Sequence, residues 1–401
     1  MYLYNTYIRK GTPSGSIRGV AALEPFLIDV PDDVLTDLAE RLRRTRFPNE
    51  VADIGWRHGL PLQRLREIVG YWLDCYDWRV HEARLNAYPQ FLTTVDGQRI
   101  HFLHVRSRQD AAIPLFLIHG WPGSVAEFLD VIEPLAGPAD PADAFHLVVP
   151  SLPGYGFSGP TTQTGWDPRR IAAAFCELAD RLGYDRYGVQ GGDWGAIVAA
   201  NMAELRPDGV LGLHVNLMNV PPAAGQQAPS TPWRRRVGPD GGGYEAILGT
   251  RPQTMGYLLD DSPAGLAAWI TEKFHEWTEG PDQDCPLTLD QMLTTVMIYW
   301  ATGTGASSSR LYWERRRHPE TMVPRQRVTA ATGVANFPGE LSRSHRSDAE
   351  RYFNVVRWTE LPRGGHFPAL EVPDLLVEDV RAFFRPLRQP IPRAPITGEP
   401  C

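Results

Sequence analysis

The chain has 401 residues, with 40 Lys and Arg against 47 Asp and Glu, a formal net charge of −7. At 43% hydrophobic and 22% charged residues it has the make-up of a soluble globular protein, which excludes a disordered or collagen-like chain. The acidic balance excludes a nucleic-acid partner, which wants clustered excess Lys and Arg, and no apolar run approaches the ~18 residues of a membrane span. Cys75, Cys176, Cys285 and Cys401 lie far apart with no paired spacing. They read as reduced thiols of a cytoplasmic protein, neither a disulfide framework nor a zinc site.

Residues 1–22, rich in Gly, Ser and Thr, read as a flexible lead-in without a secretory signal. Leu35, Leu38 and Leu42 then mark an amphipathic helix over Asp32–Arg46, and Leu62, Leu65, Ile68, Val69, Trp72 and Leu73 a second over Pro61–Trp78. Phe91–Val95, Asp96-Gly97 and Ile100–Val105 form a hairpin signal. From there continuous apolar runs alternate with helical stretches: Pro114–Ile118, Phe145–Val149, Tyr187–Gln190, Val210–Leu217, and later Val328–Val334 and Phe353–Trp358. Buried strands alternating with helices predict a mostly parallel sheet covered on both faces, an α/β fold. The alternation breaks over residues 221–320, an aromatic-rich helical stretch that reads as an insertion after the sixth strand. The expected organisation is therefore an amino-terminal segment (23–90), a first core part (91–220), an inserted lid (221–320), a second core part (321–388) and a tail (389–401).

The most informative local sequence is Gln190-Gly191-Gly192-Asp193-Trp194-Gly195. It has the strand–turn–helix form of a G-x-S-x-G nucleophile elbow with Asp in place of Ser. His119-Gly120-Trp121-Pro122-Gly123 follows an earlier strand, where a hydrolase of this kind places its second oxyanion-hole N–H. Gly364-Gly365-His366-Phe367 follows the last strand, so the chain order nucleophile–acid–His is that of the α/β-hydrolase fold. Two other patterns mislead. Gly154, Gly156 and Gly159 match G-x-G-x-x-G, yet Pro160 follows and no helix opens there to hold a pyrophosphate. His101 and His104 fall on opposite faces of a strand and cannot share a metal. No cofactor and no metal are expected.

With these residues the chain resembles the microsomal-type epoxide hydrolases of the α/β-hydrolase superfamily, from about Glu24 to Phe384. Carrying the resemblance are Glu24-Pro25-Phe26, Trp56, Tyr71-Trp72, Tyr76-Asp77-Trp78-Arg79, His119-Gly120-Trp121-Pro122, Gly191-Gly192-Asp193-Trp194-Gly195, Asp261-Ser262-Pro263-Ala264-Gly265-Leu266-Ala267 and Gly364-Gly365-His366-Phe367. It implies an α/β-hydrolase fold with a helical lid and an amino-terminal helical segment wrapping the core. It also implies Asp193 as nucleophile, His366 as base, Glu340 as the acid orienting the base, and Tyr244 and Tyr312 of the lid as proton donors. Asp348 and Glu350 are rivals of Glu340. The N–H groups of Trp121 and Trp194 form the implied oxyanion hole. Membrane-bound relatives carry an anchor helix that this chain lacks, so a soluble member is expected. The implied partner is a small epoxide, bulky or aromatic; a homodimer is left open.

The chemistry accounts for the residue types. A serine attacking an epoxide carbon would leave an ether, whereas a carboxylate leaves an ester that water can cleave. A haloalkane dehalogenase shares the Asp nucleophile but needs N–H donors for halide rather than paired phenols. A non-catalytic protein on the same fold is the other alternative, and such a protein typically lacks one of the three triad residues.

Overall fold

The computed structural model describes residues 23–280 and 285–388. The expected lead-in, the tail and Cys401 lie outside the described residues. Nine strands form one sheet: β1 (Glu24–Phe26), β2 (Gln90–Val95), β3 (Gln98–Val105), β4 (Ile113–Ile118), β5 (Phe145–Pro150), β6 (Tyr187–Gly191), β7 (Val210–Val215), β8 (Val328–Asn336) and β9 (Phe353–Glu360). Their order is β1-β2-β3-β5-β4-β6-β7-β8-β9. The first three pairings are antiparallel and the remaining five parallel. This is the α/β-hydrolase fold. The β2–β3 turn is the Asp96-Gly97 pair with φ of 49° and 74°, the left-handed conformation a two-residue hairpin turn demands.

Parallel strands must be covered on both faces, and their residues show it: Leu115, Phe116, Ile118, Leu147, Val148, Val149, Val189, Leu213 and Val334 are all buried. Helices Asp193–Leu205 and Pro168–Arg181 pack as one pair, and Pro373–Phe384 and Leu129–Ala136 as another. Gly188, Gly212 and Gly333 each lie where a Cβ would strike Phe383 or Phe384 of helix Pro373–Phe384.

Three expectations need correction. The helix expected over Asp32–Arg46 is α1 (Asp32–Arg43) and ends three residues earlier. The single helix expected over Pro61–Trp78 is two, α2 (Leu62–Asp74) and α3 (Trp78–Asn86). Asp77 separates them because its carboxylate accepts the Arg79 N–H and caps a new helix. The helical insertion follows the seventh strand, not the sixth, because the three-residue β1, too short to show any periodicity, joins the sheet edge.

Between β7 and β8 the described residues form seven α-helices, from Pro232–Val237 to Arg310–Arg317. The amino-terminal segment meets this insertion directly. Arg41 pairs with Asp261 at 3.0 Å, Tyr71 Oη donates to Asp290 at 2.8 Å, and the Tyr76 and Thr294 hydroxyls lie 3.2 Å apart. Among the described residues no helix is long and apolar enough to cross a membrane.

Candidate active site

β6 ends at Gly191, and the helix beginning at Asp193 starts after a single further residue. Asp193 holds φ at 47°, in the left-handed region that residues other than glycine seldom adopt. The glycines around it let backbones close up. A Cβ on Gly195 would sit 1.9 Å from the Ile118 carbonyl oxygen, and one on Gly191 2.4 Å from the Gly195 oxygen. The turn therefore presents the Asp193 carboxylate to the Trp121 N–H, which donates to Oδ1 at 2.8 Å.

His366 stands beside it. Nε2 lies 3.5 Å from Asp193 Oδ2, and Nδ1 lies 2.5 Å from Glu340 Oε1, with the ring fully buried. Burial disfavours the imidazolium, but the charge of Glu340, with help from Asp193, outweighs it and pushes the His366 pKa up to about 10. At neutral pH the ring is thus a cation held between two carboxylates. The rivals of Glu340 are engaged elsewhere: Asp348 accepts the Ala223 N–H at 2.8 Å, and Glu350 pairs with Arg346 at 2.8 Å.

The insertion brings both tyrosines onto Trp121. The Tyr244 ring stacks on it at 5.5 Å, Tyr312 meets it edge-on at 5.6 Å, and the two phenol rings are 5.8 Å apart. Tyr312 also meets Trp194 edge-on at 5.0 Å. Burial first, and then neighbouring negative charge including that of Asp193, pushes both phenols up, so both stay protonated. Trp194 is the second residue of its helix, in the turn whose N–H groups have no acceptor within the helix. Asp193, His366, Glu340, Tyr244, Tyr312, Trp121 and Trp194 are thus brought together.

Residues 23–128 match the family described as Epoxide hydrolase N terminus, and residues 113–237 the alpha/beta hydrolase fold. The chain is 34% identical over 409 residues to epoxide hydrolase 1 of Sus scrofa, covering 92% of this chain and 90% of that protein. The chain belongs to the epoxide hydrolase family. Juvenile hormone epoxide hydrolase 2 of Ctenocephalides felis is 36% identical over 397 residues, covering 90% of this chain and 84% of that protein. The crystal structure of juvenile hormone epoxide hydrolase from Bombyx mori superposes with a TM-score of 0.84 at 32% identity, over 92% of this chain and 95% of that one.

In this epoxide hydrolase family member three further residues support the site, two of which, Glu371 and Trp277, escape the sequence. His119 is buried; the Leu152 N–H donates to its Nε2 at 3.1 Å, which leaves Nδ1 to donate to the Gly120 carbonyl at 2.9 Å. Burial lowers its pKa to about 4, so it is a neutral strut for the loop carrying Trp121. Glu371 accepts the N–H groups of Gly365, Phe367 and Glu279 at 3.0, 2.9 and 2.8 Å, clamping the His366 loop to the end of an insertion helix. Trp277 packs against Trp121, Tyr244 and His366 and closes the aromatic wall. Each works through a fold contact distant in sequence, and only His119 lies in a motif. Among the described residues no cluster of His, Cys, Asp or Glu forms a metal site, and Cys75, Cys176 and Cys285 are unpaired.

Proposed function

We propose that this chain converts an epoxide to a vicinal diol in two covalent steps, in the cytoplasm and without a cofactor, under a lid formed by the insertion. In the first step the Asp193 carboxylate attacks an epoxide carbon, the C–O bond breaks, and Tyr244 or Tyr312 gives its proton to the departing oxygen. The product is a neutral hydroxyalkyl ester on Asp193 and a tyrosinate. Esterification removes one of the two negative charges that hold the His366 proton, and that proton restores the phenol by way of solvent. His366 is then a free base oriented by Glu340. In the second step it deprotonates water, which attacks the ester carbonyl, while the N–H groups of Trp121 and Trp194 support the oxyanion.

The observation carrying this reading is the pair of protonated phenols meeting over Trp121, on the same loop that donates to Asp193. A dehalogenase has no use for two acids there. The test is intact-protein mass spectrometry of His366→Gln with styrene oxide, beside chloride release from a 1-chloroalkane by wild type. The variant should gain the mass of one substrate and Asp193→Asn none, with no chloride released. An unmodified His366→Gln under conditions where wild type turns over would reject the covalent route; chloride release would favour the dehalogenase.

The aromatic wall also supports an apolar, aryl-bearing epoxide as the preferred substrate.

A further inference from the structure

Ester cleavage needs a water held for His366, and the residues assigned so far do not hold one. Beside the nucleophile lies a cavity of about 20 Å³, room for one water molecule. Asp193, Gly192, His366, Gln190, Asn216 and Glu127 are among its walls. Three of these present buried polar atoms without a hydrogen-bond partner in the protein: His366 Nε2, Gln190 Oε1 and Asn216 Nδ2. The two amides are fixed to each other, Gln190 Nε2 donating to Asn216 Oδ1 at 3.0 Å. Folded proteins leave few such atoms unsatisfied, and a buried water with two to four polar neighbours is their usual partner.

Glu127 reaches this cavity from the opposite loop. Ser124 accepts the Ala126 N–H and starts a short helical turn, Val125–Phe128, that carries the glutamate inward. Its carboxyl folds back over the oxyanion loop, where a Cβ on Gly123 would stand 2.2 Å from Glu127 Oε2. Only glycine leaves that space. Burial next to the charge of Asp193, opposed by that of His366, pushes this carboxyl up to about 8. A neutral carboxylic acid both donates and accepts, which suits it to orient a water.

We propose that Glu127, with Gln190 and Asn216, is a positioning residue of the hydrolytic step, holding the attacking water in this cavity against His366 Nε2. The inference rests on the covalent reading above. The water gives one proton to His366 as its oxygen bonds to the ester carbon. The tetrahedral adduct then expels the diol oxygen, which takes that proton. The carboxyl group left on Asp193 passes its remaining proton to His366, restoring the resting carboxylate–imidazolium pair.

The role separates the two half-reactions. In single-turnover experiments with styrene oxide, Glu127→Ala should alkylate within about twofold of wild type yet cleave the ester roughly 10- to 100-fold more slowly, the cost of a misplaced reactant. The ester should then accumulate and be visible by intact mass. Glu127→Gln, neutral and able to donate and accept, should recover most of the lost rate. Should Glu127→Ala not fold, Gln190→Met removes another face of the cavity and should give the same split. Alkylation and cleavage falling together, unchanged cleavage, or no recovery by glutamine would each overturn the role of Glu127. If wild type itself forms no ester on Asp193, the covalent reading is what has failed.

Discussion

At the scale of single residues, the resting charge of His366 links stability to mechanism. Its pKa is raised from 6.5 to about 10, so the stabilisation it draws from Glu340 and Asp193 is fully present below about pH 6.5 and is lost as the pH rises through about 10. His366→Gln keeps a donor for Glu340 but removes the charge. Breaking a buried pair costs about 3–5 kcal/mol, so the variant should be less stable than wild type by that order at pH 6, with the gap narrowing toward pH 10. Urea unfolding across that range measures it, and a gap that stays constant would mean the ring is neutral at rest. The phenols make a second residue-level case. Tyr312→Phe or Tyr244→Phe should slow alkylation by roughly one to three powers of ten, and the double variant should nearly abolish it, while ester cleavage changes less. Unchanged alkylation in the double variant would place the acid elsewhere. The residues whose chemistry is written in a motif, Asp193, His366 and the His119–Gly123 loop, were legible in the sequence. Glu127 was not. A glutamate three residues beyond a helical cap reads as a solvated face, and only the cavity beside His366 shows that it points inward.

At the scale of elements, the amino-terminal segment is built to hold the insertion. α1 to α3 bury Leu38, Leu42, Ile68, Trp72, Trp78 and Leu85, while Arg41, Tyr71 and Tyr76 bond to the insertion. Glu82, buried, accepts from both the Trp78 indole and the Val30 N–H and so ties α3 back to the connection leading into α1. A chain lacking residues 1–90 should therefore be insoluble, since it exposes the surfaces these side chains cover. A milder test is Trp72→Ala, expected to cost about 3–5 kcal/mol in chemical unfolding. A soluble, fully active truncation would show that the segment is an accessory. Element type was readable here from apolar spacing, but the break between α2 and α3 was not. The apolar residues continue at helical intervals through Trp72 and Leu73 to Trp78, and only the cap geometry of Asp77 ends one helix and starts the next. β1 owes its existence to its partner β2 rather than to any pattern of its own.

At the scale of the whole molecule, sheet and insertion converge on one aromatic enclosure around Asp193. Trp121 comes from the loop after β4, Trp194 from the elbow, and Tyr244, Trp277 and Tyr312 from three different insertion helices. Not every large side chain of the insertion belongs to it: Tyr257 is 67% exposed and Leu258 61%, so neither contributes to this wall. The enclosing rings touch one another at centroid distances of 5.0 to 5.9 Å, mostly edge-on. A substrate that reaches Asp193 must part them, and the contacts it disrupts have to be replaced. An aryl group replaces ring–ring contacts with contacts of the same kind, each worth about 0.5–1.5 kcal/mol beyond simple burial. A short alkyl group leaves the parted rings without partners. Styrene oxide carries five more carbons than propylene oxide; at about 0.8 kcal/mol for each one buried, its kcat/KM should be higher by up to roughly three powers of ten. Trp277→Ala, which removes one ring while leaving every proposed proton donor and acceptor in place, should narrow that preference more than it lowers the rate with propylene oxide. Both ratios come from steady-state diol formation under identical conditions. Equal kcat/KM for the two epoxides in wild type would mean that the rings fill the space around Asp193 and admit only the smallest substrates.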